Sequence, residues 1–269
     1  MNTNTKLSLR NIEHYYTDTS GQQTKAINNI SLEVNDQEFI AIIGASGCGK
    51  STLLNIMSGM LQPSSGGVFL DGQPLGSRKS KLGYISQTDT LLPWRKLIDN
   101  VALGLEIEGI SKGERHQIAR ELIQTSGLSG FEDKYPFELS GGMRKRAVII
   151  RALAQNPDLI FMDEPFGPLD IFTKNILQQE ILRIWTERKN TIIYITHDIS
   201  EAILLADRII LLSYRPATIK AEYKVDLPRP RIVEDCKYNP HFLELEKEIW
   251  EMIKDDVQKG QQEEMSKKC

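Results

Sequence analysis

The stretch that most limits what this chain can become is GASGCGKS, Gly44 to Ser51, which sits between an apolar run, Phe39 to Ile43, and a helix-forming run, Thr52 to Ser58. A strand, a glycine loop, a Lys-Ser pair and a helix in that order form a phosphate cradle. Glycines let the backbone turn until several N–H groups converge on phosphate oxygens, and the helix that starts near Lys50 aims its positive end at the same point. Ala45, Ser46, Gly47, Cys48, Gly49 and Thr52 belong to this cradle with Gly44. Lys50 adds a point charge, and the Ser51 hydroxyl is placed for Mg²⁺. The Cys48 thiol reads as a small buried filler, although a thiol reagent there would block nucleotide entry.

Around the loop, short apolar runs rich in β-branched residues at Phe39 to Ile43, Leu159 to Met162, Thr191 to Ile195 and Arg208 to Leu212 read as buried strands separated by helical patterns. That alternation predicts an α/β fold with a largely parallel sheet. Leu7 to Ile12 and Ile30 to Val34 read as two more strands joined by a polar turn near Ser20 and Gly21, forming an antiparallel edge. From Pro93 to about Ala154 the strand signal vanishes, which predicts a helical lobe inserted into the core. With 269 residues, 40% of them hydrophobic, the chain is long enough for one large domain with a small appended lobe. The expected division is a catalytic domain over 1–214, with the helical subdomain at about 93–154, and a C-terminal extension over 215–269. In that extension Phe242, Leu245, Ile249, Trp250 and Ile253 share one helical face, and Gln258 to Cys269 reads as a frayed polar end.

A net charge of −3 supplies no general attraction for nucleic acid, so no nucleic-acid partner is expected. No apolar run approaches the ~18 residues that cross a bilayer. The opening MNTNTKLSLRN lacks an apolar signal core, which predicts a cytoplasmic location. Cys48, Cys236 and Cys269 match no metal-ligand spacing and read as free thiols.

Leu159 to Met162 ends in Asp163, Glu164 and Pro165. Adjacent residues on a strand point to opposite sides, so the two carboxylates can hold different tasks. Asp163 reads as a Mg²⁺ ligand, directly or through water, and Glu164 as the group that orients and deprotonates an attacking water.

Just before that strand stands LSGGMRKR, Leu139 to Arg146, which resembles the signature motif of ABC ATPases. Ser140 suits a helix cap, and Gly141 and Gly142 expose backbone donors that favour an anion. The resemblance implies a P-loop NTPase fold with a RecA-like core. It also implies that Ser140, Gly141 and Gly142 bind the γ-phosphate of ATP held by a second copy, so that two chains sandwich two nucleotides head to tail. Gln87, in Tyr84-Ile-Ser-Gln87, resembles the glutamine that senses Mg²⁺ and γ-phosphate. Gly167 to Asp170 resembles the D-loop, and His197 the switch histidine that contacts the γ-phosphate. Tyr16 resembles the aromatic that stacks on adenine, with Tyr15 as its rival because the preceding turn can slip the register.

The resemblance covers Leu7 to about Leu212 with every motif in order. LLPWR (Leu91 to Arg95), FGPLD (Phe166 to Asp170) and VDLPRPR (Val225 to Arg231) look like the nitrate, sulfonate and taurine branch of importer ATPases, a look that thiamine-precursor systems share. The implied partners are two membrane permease subunits and, indirectly, an extracytoplasmic solute-binding protein, with the chain peripheral on the cytoplasmic face. Gln87 to Trp94 would grip a short permease helix, for which apolar Leu91, Leu92 and Trp94 are suited. An exporter or a soluble non-transport cassette would share the same ATP chemistry. Two departures stand out: Met143 and Lys145 occupy positions where the family usually has glutamine, which puts polar contacts to the partner's nucleotide in doubt.

Overall fold

The computed structural model describes residues 5–77, 80–167 and 169–266; Pro168 of the D-loop-like stretch and the terminal residues 267–269 lie outside the described residues. In chain order the elements are β1 (Thr5–Thr17), β2 (Gln23–Asn35), β3 (Phe39–Ile43), α1 (Lys50–Met57), β4 (Ser65–Leu70), the two-residue β5 (Gln73–Pro74) and β6 (Leu82–Ile85). Next come α2 (Leu97–Val101), α3 (Leu103–Ile107), α4 (Lys112–Thr125), a single 3-10 turn at Pro136–Glu138, α5 (Gly141–Ala154), β7 (Leu159–Asp163) and α6 (Ile171–Arg188). The chain finishes with β8 (Thr191–Ile195), α7 (Ile199–Leu205), β9 (Arg208–Leu212), β10 (Ile219–Lys224), α8 (Val233–Cys236) and α9 (Pro240–Ser266). The result is α/β, and the chain divides into two compact units, residues 1–79 with 186–269 and residues 80–185.

The first unit holds two sheets. In one, β3 lies between β8 and β9 with both neighbours parallel, and β10 adds antiparallel to β9. Every residue of β3 and β8 is buried, which is why these strands read as unbroken apolar runs. The other sheet is antiparallel, in the order β2-β1-β4-β5. The β1–β2 hairpin is longer than the sequence pattern suggested, because several register shifts break the alternation along β1. Its turn is set by Asp18, whose carboxylate accepts the backbone N–H groups of Ser20 and Gln22.

Helix α9 buries Phe242, Leu245, Ile249 and Ile253 in the same unit, as the helical pattern predicted, but Trp250 is half exposed. At 100° per residue Trp250 falls at the margin of that face, so it rims the buried stripe instead of joining it. The PRPR segment is more than a surface linker. Arg231 is buried, and its guanidinium donates to the carbonyls of Ile203, Leu204, Ala206, Val225 and Leu227, thereby capping the end of α7. Burial, with the Arg229 charge adding to it and the Asp207 charge opposing it, brings its pKa down to about 10.

In the second unit β6 and β7 pair in parallel, and α2, α3 and α4 gather with α5. Asn100 organises the entry to α2: its side chain takes the Leu92 N–H and donates to the carbonyls of Leu92 and Arg95. The same turn buries Leu91, half-buries Leu92 and leaves Trp94 71% exposed. Among the described residues no helix is long and apolar enough to cross a membrane.

Candidate functional site

The phosphate loop leaves β3 and opens α1. Gly47 and Gly49 hold positive φ, at 68° and 119°, which L side chains rarely adopt. Gly44 is required for a different reason, since a Cβ there would lie 2.8 Å from the Cys48 Sγ and 3.2 Å from the Leu212 carbonyl. Cys48 is buried, as the filler reading expected, and burial pushes its thiol pKa up. Gly49 caps α1 with no side-chain acceptor and no acidic residue stands in the first turn, so the positive end of α1 is not neutralised from within. The Lys50 ammonium is buried and folded back onto the Gly44 and Ala45 carbonyls, at 3.0 and 3.1 Å.

Two other parts of the first unit flank this loop. The Tyr16 hydroxyl lies 3.0 Å from the Thr52 hydroxyl, while its ring packs edge-on against His14 and stays 48% exposed. Tyr15 is engaged elsewhere, with the Lys25 ammonium 5.1 Å from its ring centroid. On the β8 side, the Thr196 N–H donates to the Ile42 carbonyl, which brings the strand end that carries His197 next to the strand end that carries Gly44.

The turn around His197 is braced by a buried carboxylate. Glu201 accepts from the Tyr194 and Thr196 hydroxyls, each at 2.5 Å, and its own N–H donates to the Asp198 carboxylate that caps α7. Burial beside this carboxylate raises the Tyr194 pKa far above its ordinary value. Sequence reasoning missed Glu201, and it also missed Arg215, whose guanidinium lies against the phosphate loop: a Cβ on Gly47 would come 2.9 Å from its Nη2. The far end of α9 reaches the same loop, since a Cβ on Gly260 would lie 3.6 Å from the Ser46 carbonyl.

In the second unit Asp163 ends β7, and Glu164 follows with a φ of 42°, a left-handed conformation that is strained for a side chain of its size. Tyr84, on the neighbouring strand, has its pKa raised to about 12, first by burial and then by the Asp163 charge. The Gln87 amide reaches toward the turn after Glu164, because a Cβ on Gly167 would lie 3.5 Å from the Gln87 Nε2 and 3.6 Å from the Glu164 carbonyl. The unit thus gathers Gln87 and Glu164. Asp170 of the D-loop-like stretch caps α6 through the Phe172 and Thr173 N–H groups.

Ser140 is the N-cap of α5, accepting from the Met143 N–H at 3.3 Å, and Ser140 and Gly141 are exposed. Gly142 is packed on the Thr173 methyl, where a Cβ would come within 2.8 Å. Lys145, whose replacement of glutamine raised a doubt about contacts to a partner, turns inward instead: its ammonium donates to the Ser86 and Gln87 carbonyls at 2.8 and 3.1 Å.

Among known families, the model described as ABC transporter matches residues 27–167, a span that holds the phosphate loop, Gln87, Ser140 to Gly142, Asp163 and Glu164. The chain is 45% identical over 95% of its length to the uncharacterized ABC transporter ATP-binding protein MJ0412 of Methanocaldococcus jannaschii, covering 94% of that protein. It is 42% identical to the taurine import ATP-binding protein TauB of Rhizobium johnstonii, over 85% of this chain and 89% of that one. The nitrate import ATP-binding protein NrtD of Synechococcus elongatus is also 42% identical, over 85% and 84%. Among solved structures, the dimeric ATP-binding cassette MJ0796, in a post-hydrolysis state with ADP and Pi, superposes with a TM-score of 0.73 at 30% identity, covering 82% of this chain and all of that one.

Proposed function

The chain belongs to the ABC transporter family of ATP-binding cassettes, and from that premise we propose that it is the ATP-hydrolysing subunit of an importer for a small solute such as nitrate, a sulfonate or taurine. The observation that carries this reading is the 42% identity, over most of the chain, to subunits named for taurine and nitrate import. The LLPWR, FGPLD and VDLPRPR stretches point the same way. The dimeric cassettes among its structural neighbours support a pair of this chain as the working unit. The remaining partners are two permease subunits and, through them, an external solute-binding protein, with the chain peripheral on the cytoplasmic face of the membrane. The catalytic domain ends near residue 214, with the helical subdomain at about 93–154 and the extension at 215–269.

In this reading the exposed Tyr16 ring stacks on adenine. Residues 44–52 cradle the phosphates through backbone N–H groups, the Lys50 ammonium and the free end of α1. Glu164 accepts a proton from water as the water oxygen bonds to the γ-phosphorus, and the bond to the β–γ bridging oxygen breaks to release ADP. Gln87 and His197 contact the γ-phosphate and hold the attacking water in line. Ser140, Gly141 and Gly142 present donors to the γ-phosphate of the partner's nucleotide. The Ser51 hydroxyl, the Asp163 carboxylate and the Gln87 carboxamide are hard oxygen donors of the kind Mg²⁺ takes, and they would hold it. Bound there, Mg²⁺ would neutralise charge on the β- and γ-oxygens.

ATP binding closes two copies and hydrolysis parts them, a two-state switch biased by γ-phosphate contacts. Exposed Trp94 is the side chain best placed to meet a permease helix. The test is affinity purification of the tagged Glu164→Gln chain from native membranes with ATP, followed by mass spectrometry. Recovery of a polytopic permease is expected; recovery of soluble partners alone, such as ribosomes, would overturn the importer reading and leave the ATPase chemistry standing.

A further inference from the structure

Lys145 buries its ammonium almost completely, with only 2% of the residue exposed. Its hydrogen bonds go to two successive backbone carbonyls, Ser86 and Gln87, in the segment that follows β6. Burial depresses its pKa, and the Asp89 charge opposes that shift in part. Taking a cation out of water is costly, and a methionine would fill the same space without that penalty. The charge contributes a pair of strong, directional bonds to one piece of backbone.

The same segment is fastened to α5 at two further points. Arg144 Nε donates to the Asp89 carboxylate at 2.8 Å, and Arg151 Nη1 to the Thr90 carbonyl at 2.6 Å. Residues 86–90 are therefore laid along α5 and tied at three places, and the buried tie is the one least weakened by solvent. It is also the tie that holds Gln87 itself. Lys145 stands one turn from the start of α5, where Ser140 to Gly142 present their donors. The link thus ties the Gln87 backbone to α5 one turn from its start.

We propose that Lys145 is a positioning residue that couples the two nucleotide sites of the dimer, because it locks the Gln87 backbone, which serves its own chain's nucleotide, to the helix whose first turn serves the partner's. This inference rests on the assignment of Gln87 and of Ser140 to Gly142 proposed above. When γ-phosphate settles against Gln87, the shift passes through the Lys145 link to the signature turn and makes it ready for the second copy. A chain without the link binds ATP normally and pairs poorly.

The test uses the full chain in the Glu164→Gln background, so that binding and pairing are read without turnover. ATP affinity is measured with a fluorescent ATP analogue at protein concentrations below pairing, and ATP-driven dimerisation by light scattering, for Lys145→Met, Lys145→Gln and Ser140→Arg. For Lys145→Met, ATP affinity within about twofold of the parent and a dimer dissociation constant raised roughly 5- to 150-fold are expected, the usual range of coupling between sites. Lys145→Gln, which can still donate to one carbonyl, should recover part of the pairing. Dimerisation of Lys145→Met at the parent's ATP and protein concentrations overturns the proposal. So does a loss of pairing that goes with a loss of ATP affinity or of folded protein and is not recovered by glutamine. If Ser140→Arg also pairs like the parent, it is the signature assignment that fails, and the coupling with it.

Discussion

The Tyr16 hydroxyl and the Thr52 hydroxyl lie 3.0 Å apart, which joins the last residues of β1 to the second residue of the phosphate helix after Lys50. This contact orients an exposed aromatic ring beside the cradle, whereas Tyr15 packs under Lys25. Base stacking on an aromatic ring contributes roughly 1–3 kcal/mol. Tyr16→Ala should therefore raise the KM for ATP by about 5- to 150-fold, and Tyr15→Ala should leave it within about twofold. Steady-state ATP titrations of the two variants check this, and equal effects would remove Tyr16 from the site.

Glu201 braces His197 from within the fold. Replacing it by alanine removes the charged acceptor of the Tyr194 and Thr196 hydroxyls, at about 1.5–3 kcal/mol for each hydrogen bond lost. Glu201→Ala should lower both the unfolding midpoint and kcat, while Glu201→Gln, which keeps an acceptor oxygen, should restore most of the stability. Thermal unfolding and single-turnover hydrolysis on the same preparations separate the two effects.

Arg231 ties the chain after β10 back onto the end of α7 through five carbonyls. Arg231→Met keeps most of the side-chain volume and removes every donor, so a loss of about 3–5 kcal/mol is expected. For a chain of this size that corresponds to a drop of roughly 6–20 °C in Tm. An unchanged Tm would show that the segment does not hold the fold.

Removal of divalent metal with EDTA should abolish hydrolysis while leaving fluorescent nucleotide bound more weakly, and Mg²⁺ should restore turnover. Asp163→Asn should show the same loss but resist restoration by added Mg²⁺. Hydrolysis that persists in EDTA would contradict the assigned roles of Ser51 and Asp163.

The phosphate loop was fully legible in the sequence because all its parts are contiguous, and the apolar strand and helix on either side fix their own conformations. The parallel strands were legible for a related reason: β3, β7, β8 and β9 are buried on both faces and so read as unbroken apolar runs. β4 and β10 were not anticipated, because one carries a Gly-Gly pair and the other alternates half-buried and exposed residues. The side chains that tie distant segments together were also hidden. Lys145 was read as a possible loss of contact with a partner, and only its inward turn onto Ser86 and Gln87 revealed an internal link. Glu201 and Arg215 stand in no motif: Glu201 reaches back across one turn to Tyr194 and Thr196, and Arg215 meets the phosphate loop only in the folded chain. The different surroundings of Tyr15 and Tyr16, one ring under Lys25 and the other hydroxyl beside Thr52, were hidden by the register shifts of β1.

The central claim, an ATP-driven pair of cassettes in which Glu164 is the base, is tested most directly by comparing the wild-type chain with Glu164→Gln in ATP and Mg²⁺, following both mass by light scattering and phosphate release. Loss of a general base costs about 10²- to 10⁴-fold in rate. The account predicts that Glu164→Gln binds ATP, accumulates as a stable dimer and releases phosphate slower by a factor in that range. Wild-type turnover in that variant, or a chain that stays monomeric at saturating ATP, would contradict it.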